Sequence, residues 1–236
     1  MKKIFRNTIS ASAIALLLIN PTKLVAQEKI ESSLSVDMVS SYVWRGENLS
    51  GFSIQPSISL DYKGFSLSAW GTASLENNPY KELDLTLAYS NGGFSVGVTD
   101  YYVEGGPGYF HYGAYNTSHT FEAQIGYDFG VLALNWYTNF AGLDGTNKSG
   151  NRAYSSYISL AAPFTLGGLD WCAEIGATPW ATDYYNGGSN GFTVCDISLG
   201  ASKEIKITDT FTLPAFAKVT VNPKTEGSYF VFGLTF

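Results

Sequence analysis

Seven charged residues fall on the polar side of segments in which apolar and polar residues alternate. Because successive side chains of a β-strand point to opposite faces, this alternation places all seven on one common side. Carboxylates that line an aqueous passage lower the barrier for cations, and fixed cations act as countercharges. The pattern predicts that the following residues line a narrow, acidic, cation-favouring pore: Asp37, Arg45, Asp84, Glu122, Glu174, Asp196 and Lys218.

A second interpretation of these charges stays open. Inward charges in a poorly hydrated interior pair with one another, because an unpaired buried charge is costly. The seven residues would then form a hydrogen-bonded plug, and the interior would not conduct. A barrel of about 12 strands lies between the filled interior of about eight strands and the open porins of about 16 to 18, so size does not decide.

The elements that carry these residues are alternating segments, most of which have the roughly 9 to 11 residues of a tilted membrane-crossing strand. The twelve predicted strands are 33–45, 52–62, 65–75, 82–90, 94–103, 118–128, 131–140, 154–162, 169–178, 191–202, 210–221 and 228–236.

The connections between these segments alternate in length. The short ones are Lys63-Gly64, Asn91-Gly92-Gly93, the bend at Gly130 and residues 163–168, while 104–117, 141–153 and 179–190 are long. Short turns and long loops on opposite ends are typical of bacterial outer-membrane barrels. The predicted fold class is therefore all-β, a transmembrane antiparallel up-and-down β-barrel of about 12 strands.

Aromatic residues gather at the ends of the predicted strands, where membrane barrels carry girdles at headgroup depth. This placement favours a membrane barrel over the alternative, a soluble barrel or sandwich with its apolar face inward. Six flank the short turns and two lie near the opposite rim: Tyr62, Phe65, Tyr89, Phe94, Tyr127 and Phe129, then Tyr42 and Trp44.

The amino-terminal region has the pattern of a secretory signal peptide. Basic residues up to Arg6 precede a short apolar run from Ala11 to Ile19, and Leu24-Val25-Ala26 follows. We expect residues 1–26 to be removed and residues 27–236 to form the barrel in the outer membrane of a Gram-negative bacterium. The mature chain then has 10 basic and 20 acidic residues and a net charge of −10, which argues against nucleic-acid binding.

Two stretches resemble known outer-membrane proteins. Ser40-Ser41-Tyr42-Val43-Trp44-Arg45-Gly46, followed by Pro56, Asp61-Tyr62, Gly64-Phe65 and Trp70, resembles the opening of the TorF-family porins. This resemblance implies a bacterial outer-membrane barrel and a porin, and it implies no particular substrate. The alternating segment Tyr229 to Phe236 resembles the signal read by the barrel-assembly machinery, with Val231 where many examples have glycine.

Residues that could catalyse a reaction are few. The two histidines, His111 and His119, lie in or beside a long loop, and Ser118 adjoins His119. Neighbours on a strand point to opposite faces, so Ser118 and His119 cannot form a nucleophile-base hydrogen bond. We expect no enzymatic activity, no cofactor and no metal.

Alternation places Cys172 inward and Cys195 outward, which predicts two unpaired thiols. Asp100 and Pro214 interrupt the pattern, Asp100 on the apolar face and Pro214 on the inward face. We expect a bulge or the point where the strand leaves the membrane at Asp100, and a bulge or a loop at Pro214.

The function predicted from these observations is passive diffusion of small hydrophilic or cationic solutes through a narrow acidic lumen. The alternative is a non-conducting barrel that acts as an adhesin or receptor, because exposed tyrosines can stack on sugars or anchor a protein. The loops that would bind such a ligand are 109–116 and 184–188, both rich in tyrosine and glycine.

Overall fold

The computed structural model describes residues 29–236 as fourteen β-strands. Within this range no helix is long and apolar enough to cross a membrane. The predicted signal peptide, residues 1–26, lies outside the described residues. The strands are β1 (Glu31–Val39), β2 (Tyr42–Trp44), β3 (Glu47–Ser50), β4 (Ser53–Tyr62), β5 (Phe65–Ser74), β6 (Lys81–Asn91), β7 (Phe94–Val103), β8 (His119–Asp128), β9 (Ala133–Gly142), β10 (Ser156–Leu166), β11 (Leu169–Thr178), β12 (Thr193–Lys206), β13 (Thr212–Asn222) and β14 (Gly227–Thr235).

Twelve of these strands form a closed antiparallel barrel in which β1 pairs with β4 on one side and with β14 on the other. Every other pair joins neighbours in sequence from β4 to β14, so the barrel is of the up-and-down type. The predicted all-β, antiparallel up-and-down barrel of about 12 strands is confirmed. Closure gives every barrel strand a hydrogen-bonded neighbour on each side, so none of the twelve is an edge strand.

Glycine-containing turns set the register at one end of the barrel. Lys63 and Gly64 have φ of 48° and 87°, and Gly92 and Gly93 have φ of 59° and 89°. Two successive positive φ values make the tight turn whose twist matches an antiparallel pair. We call this the short-turn end. The predicted turn 163–168 is too long, because β10 continues to Leu166 and only Gly167-Gly168 turn.

The opposite end, which we call the long-loop end, carries loops 75–80, 104–118, 143–155 and 179–192. It also carries residues 40–52, which leave the barrel wall. The predicted first strand, 33–45, is therefore too long. Val39 pairs with Ser53, so β1 ends there, and the intervening chain forms the separate β2–β3 pair.

The two faces of the barrel differ sharply in polarity. Leu60, Leu67, Leu87 and Val98 pair directly across four strands and form an exposed outward row. The inward row beside it is polar, and runs through Ser59, Ser68, Thr86, Thr99 and Glu122. Further exposed outward residues are Ile125, Leu134, Leu160, Ile175, Ile197, Val219 and Phe230. The barrel thus turns its apolar side chains away from its axis.

Aromatic residues ring the short-turn end as predicted, and Phe65 packs on Tyr89 with ring centroids 4.8 Å apart. At the other end the prediction is wrong. Tyr42 and Trp44 do not stand on an outer rim, because residues 40–52 fold into the barrel; Tyr42 is buried against Trp70, and Trp44 packs on Tyr101.

The two irregular positions have different explanations. Asp100 lies in unbroken register with both neighbouring strands, so the bulge predicted there is absent from β7. Its outward carboxylate instead accepts a hydrogen bond from His119. Pro214 faces Glu204 in continuous register with β12, whereas pairing with β14 begins one residue later at Ala215. Pro214 therefore needs no bulge, because it stands where the β13–β14 ladder has not yet begun.

Candidate functional site

Residues 40–52, which we call the lumen hairpin, fill the barrel interior at the long-loop end. Strands β2 and β3 pair through Trp44 and Glu47, and the tip is Arg45-Gly46, with φ of 48° and 83°. This pair of positive φ values makes a two-residue turn, and the second position suits glycine. The hairpin thereby delivers Arg45 to the middle of the lumen rather than to the barrel wall.

Arg45 forms a bidentate ion pair with Glu122 on β8. Its two terminal nitrogens donate to the two carboxylate oxygens over 2.6 and 2.8 Å, and the side chains are 6% and 1% exposed. The hydroxyl groups of Tyr101 and Tyr185 also donate to this carboxylate, over 2.9 and 3.3 Å. Bidentate geometry and additional donors are what a buried pair needs to offset desolvation.

Aromatic rings enclose the guanidinium of Arg45. Its central carbon lies 4.3 Å from the ring centroid of Trp44, 4.4 Å from that of Tyr137 and 4.8 Å from that of Tyr157. A desolvated guanidinium over aromatic faces gains cation–π attraction of about 2 kcal/mol or more. Arg45 therefore joins residues of β8, β9 and β10 across the lumen.

The backbone of the hairpin tip is held on the opposite side of the lumen. The side-chain amide of Asn222, on β13, donates to the carbonyl of Gly46 over 2.9 Å. The backbone amide of Asn186 donates to the carboxylate of Glu47 over 2.7 Å, and its side chain contacts both Arg45 and Asn222. The hairpin is thus fixed on both flanks.

Loop 179–192 completes the closure, because Tyr185 is fully buried against Trp44. This loop is tied to loop 143–155 by Asp183, whose carboxylate accepts hydrogen bonds from the hydroxyl and amide of Thr146, over 2.6 and 2.5 Å. These bonds lower the pKa of Asp183. The contact is therefore present at neutral pH and is lost as the pH falls through that lowered pKa.

Burial of the inward residues changes along the barrel axis. Near the hairpin, Asp37, Ser53 and Thr220 are 0% exposed, whereas Ser33 and Asp170 near the short-turn end are open to solvent. The lumen is therefore filled at the long-loop end and open at the other.

The seven charged residues predicted to line a pore all lie in the barrel interior, and six of them are on barrel strands. Arg45 is the exception, since it is on the hairpin. The structure brings Arg45 to Glu122, and Lys218 to 4.0 Å from Glu174. Asp37, Asp84 and Asp196 are buried, and Asp84 and Asp196 each have one carboxylate oxygen without a hydrogen-bond partner. The interior thus contains both of the arrangements considered from the sequence, paired charges and an excess of carboxylates.

Cys172 and Cys195 are unpaired, as predicted. The predicted outward position of Cys195 is wrong. The register of β11 and β12 shifts at Gly176, where Asp196 and Val194 face successive residues, so Cys195 lies in a bulge. It is 0% exposed and packs in the lumen against Tyr157 and Tyr185.

A contact between His119 and Asp100 on the outward side of the barrel wall was not predicted. Nδ1 of His119 lies 2.8 Å from a carboxylate oxygen of Asp100, and Nε2 lies 2.6 Å from the carbonyl oxygen of Tyr109. Tyr112 stacks on the imidazole with centroids 4.2 Å apart. These contacts fold loop 104–118 back over the barrel wall. The sequence marks Asp100 and His119 as unusual separately, and only the β7–β8 register brings the two side chains together.

Substitution Gly46→Ala is expected to destabilise the protein by more than the same change at Gly92. Both glycines have positive φ, which costs alanine about 1 kcal/mol or more. A Cβ at Gly46 would also overlap the carbonyl oxygen of Cys195, whereas a Cβ at Gly92 meets open space. Urea midpoints followed by tryptophan fluorescence measure the difference, and equal midpoints for the two variants would contradict the tight seating of the hairpin.

No family model matches this chain, and no curated protein matches it either.

Proposed function

We propose that the protein is a porin-like barrel of a bacterial outer membrane that lets small hydrophilic cations diffuse through a narrow acidic lumen. The observation that carries the proposal is the polarity of the closed barrel, apolar outward and charged inward. A lipid bilayer is the environment that matches an outward apolar band, and water-filled interiors are lined by polar side chains. The TorF-like opening segment and the signal-like residues 1–26 agree with this location.

In this proposal the short-turn end faces the periplasm and the long-loop end faces outward, as in bacterial barrels generally. The terminal strand, ending at Phe236, is the segment that the barrel-assembly machinery would recognise. The partners are otherwise outer-membrane lipid and the small solutes themselves. The proposal assigns the chain no catalytic step.

The lumen hairpin sets the constriction. Arg45 is neutralised by Glu122, so the net charge that remains around the hairpin comes from the other carboxylates. Asp37, Asp84, Glu174 and Asp196 exceed Lys218 in number, and a ring of fixed negative charge lowers the barrier for cations. The hairpin therefore limits the size of the solutes that pass, and these carboxylates favour solutes of positive charge.

The decisive test is the single-channel conductance of residues 27–236, refolded and placed in a planar bilayer under a KCl gradient. The proposal predicts small discrete steps with a reversal potential on the potassium side. A reversal potential on the chloride side would contradict the acidic filter. A folded, inserted and electrically silent barrel would contradict conduction.

A second candidate function is favoured by the firm anchoring of the hairpin. If the closure is permanent, the barrel serves as a platform for its loops. Phe110, Tyr112 and Tyr115 are 90%, 54% and 60% exposed in loop 104–118, and such rings can stack on sugars or anchor a protein. A folded and inserted barrel that shows no conductance in the planar bilayer would favour this second function.

The membrane location makes a separate prediction about Leu87. This residue lies in the middle of β6 and is exposed on the outward face. Leu87→Arg is expected to cost about 2 to 4 kcal/mol of folding free energy in lipid vesicles, the range for a cation near the bilayer midplane. The control is Leu75→Arg, because Leu75 is equally exposed but lies in loop 75–80. Equal small effects at both positions would contradict a bilayer around β6.

A further inference from the structure

Two carboxylates on β6, Glu82 and Asp84, have no countercharge in the lumen. They are two residues apart on one strand and both face inward, so their side chains are neighbours on the same face of the sheet. Three other carboxylates have cationic partners: Glu122 has Arg45, Glu174 has Lys218 and Asp144 has Arg152. Within residues 29–236 neither Glu82 nor Asp84 makes an ion pair. Two such close carboxyl groups require either a shared proton or a bound cation.

Unpartnered polar atoms point to a ligand between these strands. Asp84 is only 9% exposed, and its Oδ1 is buried without a hydrogen-bond partner. Trp70, directly opposite Asp84 in the β5–β6 register, is 7% exposed, and its indole nitrogen also lacks an acceptor. Leaving a buried polar group unsatisfied costs about 1 to 3 kcal/mol. A hydrated ion would satisfy both, with the carboxylate on the ion and the indole on a water of its shell.

Tyrosine side chains lie beside the pair, and one hydroxyl group adds an oxygen ligand. Tyr80 donates to Glu82 over 3.1 Å, and Tyr42, on the lumen hairpin, packs on Tyr80 and Trp70 with ring centroids 6.0 and 5.4 Å apart. Tyr101 is the direct neighbour of Asp84 on β7. A set made of carboxylate and hydroxyl oxygens, with no sulfur or imidazole, suits hard cations.

We propose that Glu82 and Asp84 form a binding site for a hard cation, of which Ca²⁺ is the divalent example, at the level of the lumen hairpin. The site deepens the proposed function and rests on it for its role, because a cation held beside the constriction is one on the path through the lumen. Tyr42 packs on Trp70 and Tyr80, so the lumen hairpin forms one wall of the site and its position is coupled to the bound ion.

The test uses Tb³⁺, a hard cation whose luminescence is excited by nearby tryptophan and tyrosine. Trp70, Tyr42 and Tyr101 lie around the proposed site, so bound Tb³⁺ should luminesce on excitation of the folded protein in detergent and should be displaced by Ca²⁺. Asp84→Asn and Glu82→Gln are each expected to weaken this displaceable binding by about tenfold or more, because affinity follows the number of charged ligands.

The matched control is Asp170→Asn, which removes a lumen carboxylate near the open short-turn end, away from Glu82 and Asp84. It should leave the displaceable signal unchanged, and retained heat-modifiable mobility shows that each variant folds. Equal Tb³⁺ binding by the wild type and Asp84→Asn, or no displaceable signal in the folded wild type, would contradict the cation site. A proton shared between Glu82 and Asp84 would then be the remaining explanation of the pair. Recording the same protein in a bilayer separates the two proposals. Displaceable Tb³⁺ binding by a barrel that does not conduct would support the cation site and contradict the proposed diffusion of cations. Conduction without Tb³⁺ binding would support the diffusion and contradict the site.

Discussion

Replacing residues 40–52 with the two-residue turn Asn-Gly is expected to raise the single-channel conductance several-fold. Val39 and Ser53 pair directly in the β1–β4 ladder, so a tight turn can join them without changing the register. The replacement removes Trp44 and Arg45 from the lumen, and with them the contacts that close the long-loop end. The twelve barrel strands and their turns remain intact. Planar-bilayer recording measures the effect.

The control for this replacement shortens another loop at the same end. Thr146 and Arg152 face each other as an antiparallel bridge, so residues 147–151 can also be replaced by Asn-Gly. This segment is exposed and stands outside the lumen, and its removal should leave the conductance unchanged. If both replacements gave the wild-type conductance, the hairpin would not be the constriction.

Glu122→Gln is expected to lower the free energy of unfolding by about 3 to 5 kcal/mol, the usual cost of removing one partner from a buried ion pair. The amide is nearly the same size as the carboxylate, so the loss arises from charge. Arg45 would keep its positive charge in a site where both side chains are at most 6% exposed. Urea unfolding in detergent or lipid vesicles measures the change.

The structure offers a matched control in Glu104, which pairs with Lys81 over 2.8 Å with side chains 53% and 49% exposed. Glu104→Gln should cost about 1 kcal/mol or less, because solvent screens an exposed pair. A Glu122→Gln variant as stable as Glu104→Gln would show that Arg45 is hydrated, and would contradict the closed long-loop end.

The barrel could be predicted from the sequence because its determinants are local. Alternation with a period of two defines a strand over about ten residues. The tight turns that join neighbouring strands are indicated by Lys63-Gly64 and Gly92-Gly93. An up-and-down barrel then follows, since each strand pairs with the next in the chain. The polar face was also predictable, which is why six of the seven lumen residues lie where the alternation placed them.

The lumen hairpin could not be predicted in the same way. Tyr42, Trp44 and Gly46 continue the alternation of the first strand, and nothing within that segment says that the chain leaves the ladder after Val39. What decides it is distant: Glu122 is 77 residues further along the chain than Arg45. The Arg45-Gly46 dipeptide was the available signal, because glycine in such a step suits a turn with positive φ.

Two smaller errors have the same cause. Cys195 faces the lumen because one extra residue bulges between β11 and β12, and alternation counted from Ile197 cannot register an insertion of that kind. Asp100 is a charged residue on an apolar face, and its partner His119 is brought to it only by the β7–β8 register. In both cases, information from a neighbouring strand overrides the pattern within one strand.

The central claim is that the lumen hairpin packs into the long-loop end and forms the constriction there, and the reactivity of Cys195 tests this packing most directly. In a Cys172→Ser background Cys195 is the only cysteine of the chain, and it is 0% exposed beside Tyr185 and the hairpin. We predict that a small cationic methanethiosulfonate modifies it very slowly in the folded barrel and many times faster when residues 40–52 are replaced by Asn-Gly. Equally fast modification with and without the hairpin would contradict the account.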